Sequence, residues 1–253
     1  MKNPNSTSWG KVASWYNKLV GNSGHYYHEK IIFPNLKRIY QPKNGHKVLD
    51  VGCGQGVYGR LLPSNIEYTG IDISKELILE AKKLDLSKSH SYFVADATDA
   101  LPVESDRYDL AISILALQNM KDARRAIAEM ARAVKVGGKI ILVLNHPAFR
   151  IPRQSSWGVD EKNKLEYRRI NRYLSSLNVP INAHPGRKNS PITWSYHQPI
   201  SYYVNAMVQA GCPVTNLAEW VSDKQSQGKA GKMENRARNE FPLFLLLEGT
   251  KSL

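Results

Sequence analysis

The sequence predicts an α/β fold, a doubly wound and mostly parallel sheet with helices on both faces. Three observations predict it. Short apolar runs alternate with segments of helical period from Lys47 to Leu144, the pattern of successive βαβ crossovers. A glycine-rich turn, Gly52-Cys-Gly-Gln-Gly56, directly follows the first run. Acids stand at the ends of the first three runs, Asp50, Asp72 and Asp96, which is the edge where open sheets of this kind bind ligands.

Lys47-Val-Leu-Asp-Val51 reads as the first strand, and the glycines after it let the backbone turn sharply. Residues 58–62 open a short helix that Pro63 stops. Residues 66–72 form the second strand. Ser74 then caps a helix with Leu77, Ile78 and Ala81 on one face. Residues 91–95 give a short third strand, and 108–115 a fourth that is buried on both sides. Asp122 caps a helix carrying Ala123, Ile127, Met130 and Val134, which Gly137-Gly138 should stop before a fifth strand over 139–144. The pattern breaks at His146-Pro147. It resumes at Ile200-Ser201, which resembles a staple and cap, with a helix that Gly211 closes and strands over 214–221 and 243–247. A polar, basic loop is expected between those strands, over 222–239, flanked by Trp220 and Phe241. The chain thus reads as a single domain, with an N-terminal helical cap (1–45), a core (46–147), an insertion (148–199) and a final helix and two strands (200–253).

The 253 residues are 42% hydrophobic and 23% charged, which excludes wholesale disorder. Two cysteines, Cys53 and Cys212, make no disulfide framework and no zinc motif, so no metal is expected. No apolar run reaches the roughly 20 residues that span a bilayer, and the first ten residues lack a signal-peptide core. A cytoplasmic protein without membrane partners is the expectation. The net charge of +13 suggests an anionic partner, but it is unevenly placed. Residues 47–149 are balanced, whereas 1–46 and 150–199 each carry a net +6.

Asp50-Val-Gly-Cys-Gly-Gln-Gly56, with Asp72 and Asp96-Ala97 behind it, resembles the first motif and the following acids of the class I S-adenosylmethionine-dependent methyltransferases. The resemblance covers residues 46–146, with Val134-Lys-Val-Gly-Gly-Lys139 at the usual entry to the fifth strand, except that Val136 stands where proline is common. It implies a Rossmann-like seven-stranded sheet whose last strand is antiparallel, with S-adenosyl-L-methionine as cofactor. It further implies that Gly52, Gly54 and Gly56 wrap the methionine part with Asp50 near its ammonium, and that Asp72 takes the ribose with Ile73 beside the adenine. Asp96 and Ala97 would contact the adenine amino group, and Leu115 and Ala116 would lie alongside the cofactor.

Methyl transfer is an in-line displacement, so alignment is the protein's main task, and the acceptor's partners must come from segments above the cleft. Tyr16 and Tyr26 are candidates to enclose the sulfonium, within Trp15-Tyr16 and His25-Tyr-Tyr-His28. His146, after the fifth strand, is the candidate general base. His25, Gln118, Asn145, Arg150, Arg153 and Trp157 are candidate substrate contacts, the two arginines because a guanidinium grips carboxylate or phosphate bidentately. Arg168, Arg169 and Arg172 are expected on a solvated helix, and His184 and His197 on loops.

The function expected is methyl transfer to a small molecule, an anionic one being suggested by the basic lid. The alternative is an RNA methyltransferase that uses the basic cap, although 114–120 lacks the Asn/Asp-Pro-Pro-aromatic motif of base-amine enzymes. A nicotinamide-dependent oxidoreductase and a non-catalytic binding protein are weaker alternatives.

Overall fold

In the computed structural model, which describes residues 20–21, 23–182 and 190–253, the strands of the core are β1 (Lys47–Val51), β2 (Glu67–Asp72), β3 (His90–Val94), β4 (Tyr108–Ile114) and β5 (Val134–Asn145). After the insertion come β10 (Val214–Trp220) and β11 (Phe244–Thr250). They form one sheet in the order β10-β11-β5-β4-β1-β2-β3. All neighbours from β5 to β3 pair in parallel, and β11 runs antiparallel to both β5 and β10. This is the expected doubly wound sheet with an antiparallel last strand.

Period-two alternation divides the strand side chains between two cores. Leu49, Val51, Ala111 and Leu142 pack on one face against Ile127, Met130 and Met207. Val48, Leu110, Ile112 and Ile141 pack on the other against Ile31, Leu36, Ile78 and Trp220. The helices are α1 (Phe33–Ile39), α2 (Val57–Arg60), α3 (Lys75–Leu84), α4 (Ala123–Ala133), α5 (Ile200–Gln209) and α6 (Gly231–Glu240). A π-helical turn, His28–Ile32, leads into α1. Ser74 Oγ accepts from Leu77 N at 3.3 Å at the start of α3, and Asp122 Oδ1 accepts from Arg125 N at 3.3 Å at the start of α4, so both expected caps form.

Four local expectations are corrected. α4 ends at Ala133 because Val134 already pairs with Tyr108, so Gly137-Gly138 lie inside β5 instead of stopping the helix. Pro199, not Ser201, is the N-cap of α5 and makes no side-chain cap bond. The 222–239 loop contains the start and most of α6. The insertion folds as β6 (Ser155–Asp160) against β7 (Leu165–Ile170) and β8 (Leu177–Asn182) against β9 (Ile192–His197). Arg168 and Arg169 are therefore on a strand and Arg172 lies beyond it. Leu165-Glu-Tyr-Arg-Arg-Ile170 pairs residue by residue with β6, which places Arg168 opposite Trp157, and this cross-strand pairing outweighs its weak helical period. Among the described residues no helix is long and apolar enough to cross a membrane.

Candidate active site

A cavity of about 640 Å³ opens at the carboxyl ends of β1, β2 and β4. Its floor is the glycine turn. Gly52 takes φ +78°, and a Cβ there would stand 2.3 Å from Ala116 Cβ; only glycine lets the two loops approach so closely. Gly52 N and Cys53 N both donate to Ile71 O, at 2.8 and 3.0 Å. That ties the turn to the end of β2. Asp72 ends that strand with each carboxylate oxygen accepting one backbone N–H, Gly54 N at 3.0 Å and Ser74 N at 2.8 Å. Burial raises its pKa and these two bonds oppose the rise. The carboxylate is thus fixed at the cavity with lone pairs left for further donors. Asp96 Oδ1 accepts from Thr98 N and Thr98 Oγ1, at 2.8 and 2.7 Å. Its Oδ2 makes no hydrogen bond among the described residues and is free for a donor.

Leu115 holds φ +54° at the end of β4, a left-handed position that costs a non-glycine residue about 1–2 kcal/mol. Its carbonyl is gripped by Gln118 Nε2 at 2.8 Å and Asn119 Nδ2 at 3.4 Å. Strain of this kind persists only where the surroundings over-determine it, and it concentrates at functional sites.

The mouth is walled by Val20, His25, Tyr27, His28, Asn145 and Arg150. His25 Nδ1 accepts from Tyr27 N at 3.4 Å and His28 Nδ1 from His25 N at 3.2 Å, which puts each ring's proton on Nε2. Burial lowers His25, helped by Lys224 and Arg150. Burial, with His25 beside it, lowers His28 to about 4. Both rings are neutral donors near neutral pH and weak bases.

Of the residues singled out in the sequence, the cavity collects Gly52, Gly54, Asp72, Ile73, Asp96, Ala97, Leu115, Ala116, His25, Asn145 and Arg150. The others lie elsewhere. Asp50 is buried behind the turn, where Tyr68 Oη donates to its Oδ2 at 2.8 Å, and its Oδ1 has no partner among the described residues. Burial pushes its pKa up to about 7. Gly56 is buried against Tyr92 and does not line the cavity. Tyr26 points outward and donates to Asp223 at 3.0 Å, and its neighbour Tyr27 makes the wall. Gln118 is spent on Leu115, and Asn119 lines the cavity. Arg153 sits in an exposed turn with φ +59° and donates to Pro180 O at 2.8 Å. Tyr16 and His184 lie outside the described residues.

His146 is corrected as the base. It is 1% exposed and does not line the cavity. Its Nε2 lies 2.7 Å from Glu219 Oε1, and its Nδ1 accepts from Ala148 N and Phe149 N at 3.2 and 3.4 Å. With both ring nitrogens engaged, it braces the turn that carries Arg150. Sequence reasoning missed Thr98, Met120 and Lys121 on the cavity wall, and nothing in their local pattern marks them.

Residues 49–142 match the methyltransferase-domain family model. A Listeria monocytogenes structure assigned as an S-adenosylmethionine-dependent methyltransferase superposes with a TM-score of 0.69 at 25% identity, over 87% of this chain and 98% of that one. This core of the chain is thus a methyltransferase domain of the S-adenosylmethionine-dependent type. Among curated relatives, malonyl-[acyl-carrier protein] O-methyltransferase of Salmonella typhimurium is 37% identical over 94 residues, 37% of this chain and 36% of that protein. The tRNA (carboxymethyluridine(34)-5-O)-methyltransferase of Arabidopsis thaliana is 38% identical over 104 residues, 40% of this chain and 24% of that protein. The chain thus spans about a third or less of the length of these two relatives.

The residues present fit the family's cofactor, S-adenosyl-L-methionine. Gly52 and Gly54 line the cavity without side chains, Asp72 has capacity for two hydroxyl donors, and Asp96 Oδ2 can accept from an amino group. The cavity volume lies within the range usual for small-ligand pockets.

Proposed function

We propose that the protein transfers a methyl group from S-adenosyl-L-methionine to a small-molecule acceptor held beneath the cap. The observation that carries this reading is one cavity lined both by Asp72 and Asp96 and by His25, His28 and Arg150. When bound, the cofactor supplies an electrophilic methyl on a cationic sulfur. In this reading Asp72 and Asp96 hold the nucleoside part, Gly52 and Gly54 the amino-acid part, and Leu115 and Ile73 flank it. Residues 46–147 are the cofactor core, and the described parts of the N-terminal segment and of 148–199 flank the acceptor.

The chain's own residues define what kind of acceptor suits the site. Neither His25 nor His28 is a strong base, and His146 is withdrawn. Among the described residues no histidine at the cavity is a strong base, so the site suits a nucleophile that arrives already deprotonated or weakly protonated, with an imidazole Nε2–H available to orient it. Such an oxygen needs alignment more than proton removal. Arg150, with no carboxylate partner among the described residues, favours a negative charge at this end.

The test is release of S-adenosylhomocysteine from S-adenosylmethionine on addition of a low-molecular-weight metabolite extract or of total tRNA. Turnover with the extract alone supports the reading. The Arabidopsis relative makes tRNA the second reading, and turnover that requires tRNA, with a steep salt dependence, would overturn the first.

A further inference from the structure

Beside the cofactor cavity lies a groove of about 200 Å³ that shares Tyr27 and Arg150 with it. The groove is too small for a whole acceptor and large enough for one end of it. Its far side is Arg168, whose guanidinium is anchored by Nε to Phe149 O at 2.7 Å and by Nη2 to Ser155 Oγ at 2.8 Å. It also lies 5.1 Å above the Trp157 ring. Trp157 and Phe149 each meet Phe241 edge to face at 5.5 Å, so the walls between the cations are aromatic.

The electrostatics of this corner are unbalanced. Arg107, Arg132 and Arg238 each pair with a glutamate. Among the described residues neither Arg150 nor Arg168 meets a carboxylate. Burial lowers the pKa of both, and Arg150 lowers Arg168 further. Two partly desolvated cations facing one groove repel each other unless an anion lies between them. Arg168 is also pre-organised, so little side-chain entropy remains to be lost on binding. A row of phosphates would call for an open basic stripe, and this is an enclosed corner lined by rings.

We propose that this groove is an oxyanion subsite for the methyl acceptor. Arg150 and Arg168 hold a carboxylate or phosphate at the acceptor's distal end, and Trp157, Phe149 and Phe241 enclose the adjoining apolar part. The inference rests on the small-molecule reading above and narrows it to an amphipathic anionic acceptor whose reactive oxygen lies toward His25 and His28. Arg168 acts here as a binding residue that never touches the cofactor.

Benzoate, phenyl phosphate and neutral benzamide are titrated into the protein, with and without S-adenosylhomocysteine, following the Trp157 indole N–H by NMR. Both anions should shift that signal and benzamide should not, and their affinity ratio tells carboxylate from phosphate. Arg168→Gln should weaken the anions roughly tenfold or more, the loss expected for a charge-assisted pair. Arg168→Lys should keep part of the affinity, and the affinity for S-adenosylhomocysteine should stay unchanged in both variants. If Arg168→Gln loses the β6–β7 pairing, Arg150→Gln should show the same loss of preference for anions over benzamide. Equal binding of benzamide, or anion binding indifferent to both arginines, overturns the proposal. So does displacement of the probes by a short single-stranded RNA at physiological salt. Failure of the wild type to bind S-adenosylhomocysteine, with anion binding intact, would instead overturn the methyl-transfer reading.

Discussion

Asp50→Asn tests how the turn of the cofactor cavity is built. Asp50 is 2% exposed, and among the described residues its carboxylate has one hydrogen-bond partner, Tyr68 Oη. Desolvation disfavours its charged form and the nearby Asp72 adds to the effect, so its pKa rises from 3.8 to about 7. The folded chain then binds this proton more tightly than the unfolded chain. Stability is full below pH 3.8, falls as pH rises across the window from 3.8 to 7, and stays lowered above it. At about 1.4 kcal/mol per tenfold in proton affinity, the cost at pH 8 is about 4 kcal/mol at most. Asparagine keeps the shape and still accepts from Tyr68 while removing the titration. In urea denaturation of the cofactor-free protein, Asp50→Asn should therefore gain on the wild type steadily from pH 4 to pH 7 and hold that advantage to pH 8. A difference between the two that does not change with pH would refute this account of Asp50.

Other substitutions test the rest of the site. Gly52→Ala should lower Tm and weaken S-adenosylhomocysteine binding at least tenfold, because φ +78° and the 2.3 Å approach to Ala116 both oppose a Cβ; calorimetry and thermal melts read both. Leu115→Val should cost more stability than Leu115→Gly, although valine keeps more apolar surface, since a β-branched residue at φ +54° is the worst fit; denaturant midpoints decide the order. His146→Ala should cost about 1–3 kcal/mol for its lost buried hydrogen bonds and leave cofactor affinity nearly intact. Because burial lowers its pKa, His146 should also contribute a loss of wild-type stability as pH falls below 6.5, and that share should vanish in the variant.

The strand-end half of the cavity was legible in the sequence because its signals are local. A glycine turn after a buried strand and an acid at the next strand end fix backbone and side chain within a few residues, and Gly52, Asp72 and Asp96 line the cavity. The cap was not legible, because there a single position decides which way a side chain faces. Tyr26 and Tyr27 differ by one helical step, and only the second reaches the cavity. Asn145 ends β5 and His146 follows it, and the first faces the cavity while the second turns toward Glu219. Gln118 and Asn119 divide in the same way on one short turn. Arg168 was misassigned because its role depends on the register of β6 with β7, a pairing set by Trp157 across the hairpin and not by any period along the chain.

The most direct test of the central claim is calorimetric titration of S-adenosylhomocysteine into the wild type and Asp72→Ala. The account predicts one site per chain in the wild type and an affinity loss of roughly a hundredfold or more in the variant, since two hydroxyls would each lose a bond to a carboxylate, with NADH giving no heat in either. No binding of S-adenosylhomocysteine by the wild type, or NADH binding that depends on Asp72, would contradict it.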